Sequence, residues 1–311
     1  FNMKWFPYNK GGDYRKWYGN NENVVNWYNG GSEIINFKDG KGKQRSRPQN
    51  INYYFERSVT WSFISSSFFG ARFSDTRAIF DVAGSSTFPN DDDIEIICGL
   101  LCSKLSSIFL ALMNPTLNFQ INDVGSIPLL HFENRDEIKE LVREINAISK
   151  LDWNSFETSW DFKTLPLLSP DYHSATLQNT YSSLRTHWQE MTVEMLRLEE
   201  ENNRIFIDAY GLQDELTPDV PLHEITLTSN PAYRYGKKAS KEVQEKRLCE
   251  DTIKEFISYA VGCMFGRYSL EQPGLILANQ GEGIDQYLDQ IPNPSFIPDD
   301  DHVIQLLADN W

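Results

Sequence analysis

Cysteine, histidine and uninterrupted apolar sequence are all scarce in this 311-residue chain. Its four cysteines include no CxxC or CxxH pair: Cys98 and Cys102 stand one helical turn apart, and Cys249 and Cys263 stand alone. A zinc site needs four convergent ligands, so no metal site is indicated, and free buried thiols in a reducing compartment are expected. The five histidines, His131, His173, His187, His223 and His302, fall in no HExxH pattern, and no GxSxG elbow occurs. The metalloprotease and serine-hydrolase signatures are therefore missing. So is the alternation of strands and helices that a doubly wound cofactor domain requires. The chain opens Phe1-Asn2-Met3-Lys4, without a basic–apolar–small leader or an initiator methionine, so a piece of a longer protein is expected.

The longest apolar stretch, Ile94 to Met113, is interrupted by Glu95, Lys104, Ser103, Ser106 and Ser107. A membrane-spanning helix needs about 20 nearly uninterrupted apolar residues. Ile97, Leu101, Leu105, Ile108 and Leu112 instead step by four, four, three and four, which predicts one amphipathic core helix over 94–113. No membrane span is expected, and a cytoplasmic location is. With 40% apolar and 23% charged residues and a mean hydropathy of −0.48, collagen-like and wholly disordered classes are excluded.

What the chain does have is an uneven charge distribution. The formal net charge is −15, yet residues 1–90 hold 12 Lys+Arg against 7 Asp+Glu, and residues 91–311 hold 17 against 37. The front portion also carries 20 of the 41 aromatic residues. Cations and rings interleave in Lys4-Trp5-Phe6, Arg15-Lys16-Trp17-Tyr18 and Tyr53-Tyr54-Phe55-Glu56-Arg57. Between them Lys38, Lys41, Lys43, Arg45 and Arg47, broken by Gly40 and Gly42, read as a mobile basic loop. Such asymmetry suits one half that faces a polyanion, with lysine and arginine on phosphates and arginine, Asn and Gln able to read base edges. The alternative is that the rings are sheet core and the cations its wet face.

The fold class expected is α+β. Residues 1–132 read as a mixed, β-rich domain, with strands over Asn23–Asn36 and Thr60–Phe73 and turns at Gly30-Gly31, Gly70 and Gly84-Ser85-Ser86. Residues 133–275 read as a long-helix bundle or coiled-coil-like region. Asn134 and Glu137 form a capping-box signature before the stripe Ile138, Leu141, Ile145 and Ile148. Leu177, Tyr181, Leu184, Trp188, Met191, Met195, Leu198, Asn202, Ile205 and Ala209 alternate spacings of four and three, a heptad seam. That helix is expected from about Ser174 to Tyr210, stopping at Gly211; a later one spans Lys241–Phe265, stopping at Gly266. Asn202, the polar member of the seam, is either buried to fix register or wet beyond the end of the apolar stripe. Residues 276–311 read as an irregular, acidic, proline-rich tail. Asn293-Pro294-Ser295-Phe296 is like the Asn-Pro-Pro-Tyr/Phe loop of amino-methyltransferases, but no buried apolar strand leads into it, so it reads as tail. Gly281-Glu282-Gly283 likewise has no strand before it and is not read as a nucleotide loop.

Several longer stretches carry a family resemblance. They are Arg15-Lys16-Trp17-Tyr18-Gly19-Asn20, Thr60-Trp61-Ser62-Phe63-Ile64-Ser65-Ser66-Ser67 and Phe80-Asp81-Val82-Ala83-Gly84. Further on come Asn114-Pro115-Thr116-Leu117-Asn118-Phe119-Gln120, Phe156-Glu157-Thr158-Ser159-Trp160-Asp161-Phe162, Tyr210-Gly211-Leu212-Gln213-Asp214-Glu215-Leu216-Thr217 and Ser258 to Leu270. From about residue 3 to residue 275 the chain resembles the C-terminal portion of the BREX-type phage-defence adenine-specific DNA methyltransferases, the PglX family. The stretch Leu117–Leu130 followed by a helix is also similar to the exit from recognition domains of type I specificity subunits.

The resemblance implies a DNA target-recognition region whose parent transfers a methyl group from S-adenosylmethionine to adenine N6, with the target base turned out of the duplex. The family's cofactor loop and Asn-Pro-Pro-Tyr motif would lie upstream, so this chain alone is expected to hold no cofactor and no methyl-transfer activity. The implied partners are double-stranded DNA, the upstream methyltransferase domain and other proteins of a defence complex. The residues expected on DNA, by type and local motif, are Lys16, Asn20, Lys43, Arg45, Arg47, Ser65, Ser66, Arg72 and Arg77. A different reading is a protein-interaction module of such a complex with no direct DNA readout, which the acidic residues after position 90 and the long seam would suit. An independent enzyme is the third.

Overall fold

Strands occupy the front of the chain and helices most of the rest, a mixed α+β fold. The structure, a computed structural model, describes residues 3–65, 68–75, 78–279, 281–297 and 305–306. Strand β1 (Trp5–Asn9) pairs antiparallel with β2 (Val24–Asn26). The rest of the expected strand 23–36 is helix α1 (Tyr28–Ile35), kinked where Asn29, Gly30 and Gly31 take φ of 52°, 67° and 74°. Asn and Gly enter this left-handed region at little cost, so the β-branched residues after them leave the strand direction. A second sheet is built on β3 (Ser58–Ser62), buried along its whole length. It lies between β4 (Ala71–Ser74) and β6 (Gly84–Thr87), antiparallel to both. The short β5 (Ile79–Phe80) runs parallel to β1, pairing Tyr8 with Ile79.

Gly84-Ser85-Ser86 is thus strand and not turn. A Cβ at Gly84 would stand 2.1 Å from the Asn9 carbonyl oxygen, so the glycine serves close backbone approach.

The expected single helix over 94–113 is two, α2 (Ile94–Cys102) and α3 (Lys104–Met113), bent by 69°. Ser103 is extended, at φ −74° and ψ 155°. Its hydroxyl and that of Ser106 each donate to the Leu100 carbonyl at 2.6 Å, while the Asn203 side chain accepts the Lys104 amide at 2.8 Å. Side chains therefore satisfy the end of one helix and the start of the next, as a break requires. No single helix among the described residues is long and apolar enough to cross a membrane.

After the short α4 (Ile121–Gly125), α5 (Arg135–Asn154) starts where Asn134 donates its amide to the Glu137 carboxylate at 3.1 Å. Helix α6 (Leu177–Ala209) is about 50 Å long at ~1.5 Å per residue. Leu184, Trp188, Met195, Leu198 and Ile205 of its seam are buried, and so is Asn202, whose amide donates to the Gly99 carbonyl at 3.0 Å. Gly211, at φ 68°, ends it. After α7 (Pro231–Arg234), α8 (Lys241–Met264) is capped by the Ser240 hydroxyl, which accepts the Val243 amide. Among the described residues that follow, α9 (Ile284–Gln290) buries Tyr287, and β7 (Phe296–Ile297) pairs with β8 (Gln305–Leu306).

The chain forms two compact units that interleave in sequence. The first is Phe1–Trp153 with Met191–Leu227. Its core joins Val59 and Trp61 of β3 to Ile138, Val142 and Ile145 of α5 and Met195, Leu198 and Phe206 of α6. Apolar faces of both helices are needed to cover the sheet, which is why they belong with it. The second unit, Asn154–Glu190 with Thr228–Trp311, has its own core of Phe162, Leu165, Tyr259, Cys263 and Tyr268. Tyr259 and Tyr268 stack at 4.8 Å.

Candidate nucleic-acid interface

Two groups of cations stand out in the first unit. In Arg15-Lys16-Trp17-Tyr18 they turn inward. Trp17 bridges to β4, donating its amide to the Ala71 carbonyl at 2.8 Å and accepting the Phe73 amide at 2.7 Å, with its own backbone at φ 71°. That draws Lys16 into the interior, where its ammonium donates to the Glu199 carboxylate, which also accepts the Trp17 indole at 2.9 Å. Burial pulls the Lys16 ammonium down, and the Glu199 charge more than restores it, so Lys16 stays charged. Arg15 donates to Asp152 at 2.9 Å and lies 4.8 Å over the Trp153 ring.

Three residues expected on DNA are therefore interior ones: Lys16, Arg72 and Ser65 are 6%, 2% and 6% exposed. Lys16 is held by Glu199, Arg72 reaches the Arg15 carbonyl at 3.5 Å, and the Ser65 amide donates to Leu117 at 3.2 Å. Lys16 and Ser65 lie outside the strands and Arg72 sits on β4 at the edge of its sheet, yet all three side chains are taken up inside the fold. Asn20, half-buried at φ 58°, donates its amide to the Asp13 carbonyl at 2.9 Å and fastens a turn. Ser66 and Arg77 lie outside the described residues.

The second group is brought together on the surface. Residues 37–45 form a hairpin, with Lys38 bridging to Gln44 and the Arg45 amide donating to the Phe37 carbonyl at 3.0 Å. Asp39 organises it. One carboxylate oxygen accepts the Lys41 and Lys43 amides at 3.0 and 2.9 Å, and the other accepts the Arg45 guanidinium at 2.9 Å. Those bonds, the Lys43 amide foremost, hold the Asp39 carboxyl below its ordinary range. Lys38, Lys41, Lys43, Arg45 and Arg47 are all exposed. Of the residues expected on DNA, Lys43, Arg45 and Arg47 thus share one feature, a loop with a built turn at its tip.

Beside the hairpin lies a cleft of about 660 Å³, with Arg47 among its lining residues. Tyr8, Trp27, Tyr53, Tyr54, Phe80 and Phe88 supply its rings. The Tyr8 hydroxyl donates to Asp81 at 2.6 Å, and Asp81 also accepts the Ala83 amide at 2.8 Å. Burial, reinforced by Asp81, raises the Tyr8 hydroxyl well above its ordinary range. Aromatic density in the sequence signals the region, but not this arrangement. Tyr8 and Asp81 are 73 residues apart and meet only through the β1–β5 pairing.

Among the described residues no strand precedes Gly281-Glu282-Gly283, and Glu282 is bonded to the Asn279 side chain and the Ala278 amide. Among the described residues no cluster of three His, Cys, Asp or Glu could hold a metal.

No family model matches the chain. It is 39% identical over 99% of its length to the adenine-specific methyltransferase PglX of Lacticaseibacillus casei (strain Zhang). It is 34% identical over 100% of its length to the adenine-specific methyltransferase BrxX of Escherichia coli O9:H4 (strain HS). The chain spans 24% and 25% of the length of these two relatives. Across its whole length the chain is homologous to a quarter of the PglX/BrxX adenine-specific methyltransferases, in agreement with a C-terminal portion of a BREX PglX-type protein.

Proposed function

We propose that this chain is the DNA target-recognition region of a site-specific N6-adenine DNA methyltransferase of a BREX phage-defence system. It binds duplex DNA and orients a catalytic portion that lies in the rest of the protein. S-adenosylmethionine is the methyl donor this reading implies for the whole enzyme; no step of the methyl transfer is assigned to residues of this chain.

The observation that carries the reading is the sorting of cations. Arg15, Lys16 and Arg72 are buried within the fold, while five others are exposed on residues 38–47. Cations so placed meet phosphates without unpicking the core, and phosphate contacts position a protein before bases are read. The test is binding of a labelled duplex by the 311-residue chain and by a Lys41→Ala/Lys43→Ala/Arg45→Ala/Arg47→Ala variant. Salt-sensitive binding weakened in the variant is expected; no duplex binding at low salt would sink the reading.

Exposed apolar side chains offer a seat for the rest of the methyltransferase. Leu112 near the end of α3, Leu117, Ile121 of α4 and Leu129 are more than half exposed. Partner proteins of the defence complex are the other occupants such a surface would accept.

A further inference from the structure

The cleft beside the basic hairpin has more shape than phosphate contact needs. Its volume of about 660 Å³ is that of a small-molecule site, for which roughly 300–1,000 Å³ is usual. Trp27, Tyr54 and Ile79 are buried and form its floor, a small apolar cluster of their own. The wall reaches solvent: Tyr53, 44% exposed, lies 4.9 Å from Phe88 with their planes 32° apart. Faces of this kind are platforms on which planar rings stack.

Polar groups in the lining include Asn50, Asp81 and Arg47. Asn50 carries an amide of the kind that pairs with a base edge. Asp81 accepts from Tyr8, Ala83 and Gly84, which leaves about one of the roughly four lone-pair sites of a carboxylate for a further donor. Arg47 is exposed among the lining residues, next to the lysines of the hairpin. A positive edge repels a free organic cation and attracts a planar ring tethered to an anion.

We propose that this cleft takes one unstacked nucleobase of a DNA strand, with Tyr53 and Phe88 as its stacking face and Arg47 on the adjoining phosphate. The proposal rests on the DNA-recognition reading and deepens it: the region receives a base outside the stack as well as the duplex surface.

The experiment compares three labelled probes on the 311-residue chain: a duplex, a single strand, and an abasic strand of the same length and charge. The single strand should bind about tenfold tighter than the abasic one, the scale of one base–aromatic stack. Tyr53→Ala should erase that difference while leaving duplex binding, and Tyr53→Trp, which keeps a stacking face, should retain it. Equal binding of the two strands with duplex binding intact overturns the nucleobase site alone, as does a base-dependent gain that survives Tyr53→Ala. Failure to bind the duplex overturns the recognition reading and this inference together. Fluorescence quenching of the cleft by tetramethylammonium, and not by the single strand, would identify an aromatic cation cage and overturn it too.

Discussion

The Lys16 ammonium and the Glu199 carboxylate form a buried ion pair across 183 residues, inside the unit whose sequence looks most ready to meet phosphate. Removing one member of such a pair leaves an uncompensated buried charge, which typically costs about 3–5 kcal/mol. Glu199→Gln is expected to lower the urea midpoint accordingly. Lys16→Met with Glu199→Leu should recover part of that loss. Urea unfolding monitored by tryptophan fluorescence checks both, and a Glu199→Gln midpoint equal to wild type would contradict the pair's role.

Salt dependence separates the two groups of cations. Each phosphate contact contributes a slope of roughly −0.9 to log K against log salt on duplex DNA. Lys43→Ala and Arg47→Ala should each flatten the slope by up to about that amount. Arg72→Met, a buried position, should leave the slope unchanged wherever the variant remains folded. Anisotropy titrations at several salt concentrations read the result.

The hairpin tip should be sensitive to acid. Asp39 is held below its ordinary range by the Lys43 and Lys41 amides and Arg45, so these bonds are fully present above the ordinary carboxylate range. They are lost as pH falls through the lowered folded value, the sign expected of a depressed carboxyl. The Lys41 and Lys43 amide resonances should shift together below about pH 4. Asp39→Asn should remove that titration. Two amides moving independently of each other would dismiss the shared carboxylate.

Thiol chemistry offers a check on the cores. Cys98 and Cys102 are buried on α2, and burial pushes the Cys263 thiol up to about 11. Only Cys249 is partly exposed. A disulfide reagent at pH 8 should modify Cys249 first in the native chain, and the rest on unfolding. Cys249→Ser should abolish the fast phase; prompt reaction of Cys98 would mean that α2 is not packed as described.

The long helices were legible because their evidence is local. The four–three seam and Gly211 predict α6 to within a few residues, and the stripe ending at Gly266 predicts α8. The division of cations was not legible, since the carboxylates that claim Lys16 and Arg15 stand 183 and 137 residues away. The break at Ser103 was hidden for the same reason: the apolar spacing runs through it, and the Asn203 side chain that receives the Lys104 amide comes 99 residues later. In the hairpin and just after it, residue type found Lys43, Arg45 and Arg47, but Asp39 reads as a stray acid until the turn closes around it.

The inward-facing cations also dictate how this region could be transplanted. Arg15 and Lys16 answer to Asp152 and Glu199, so a graft cut at residue 132 would leave two orphaned positive charges in a hydrophobic interior. A chimera meant to exchange sequence preference between relatives has to carry the segments around 135–153 and 191–227 along with the strands. Among natural relatives, positions 16 and 199 should accordingly drift in step.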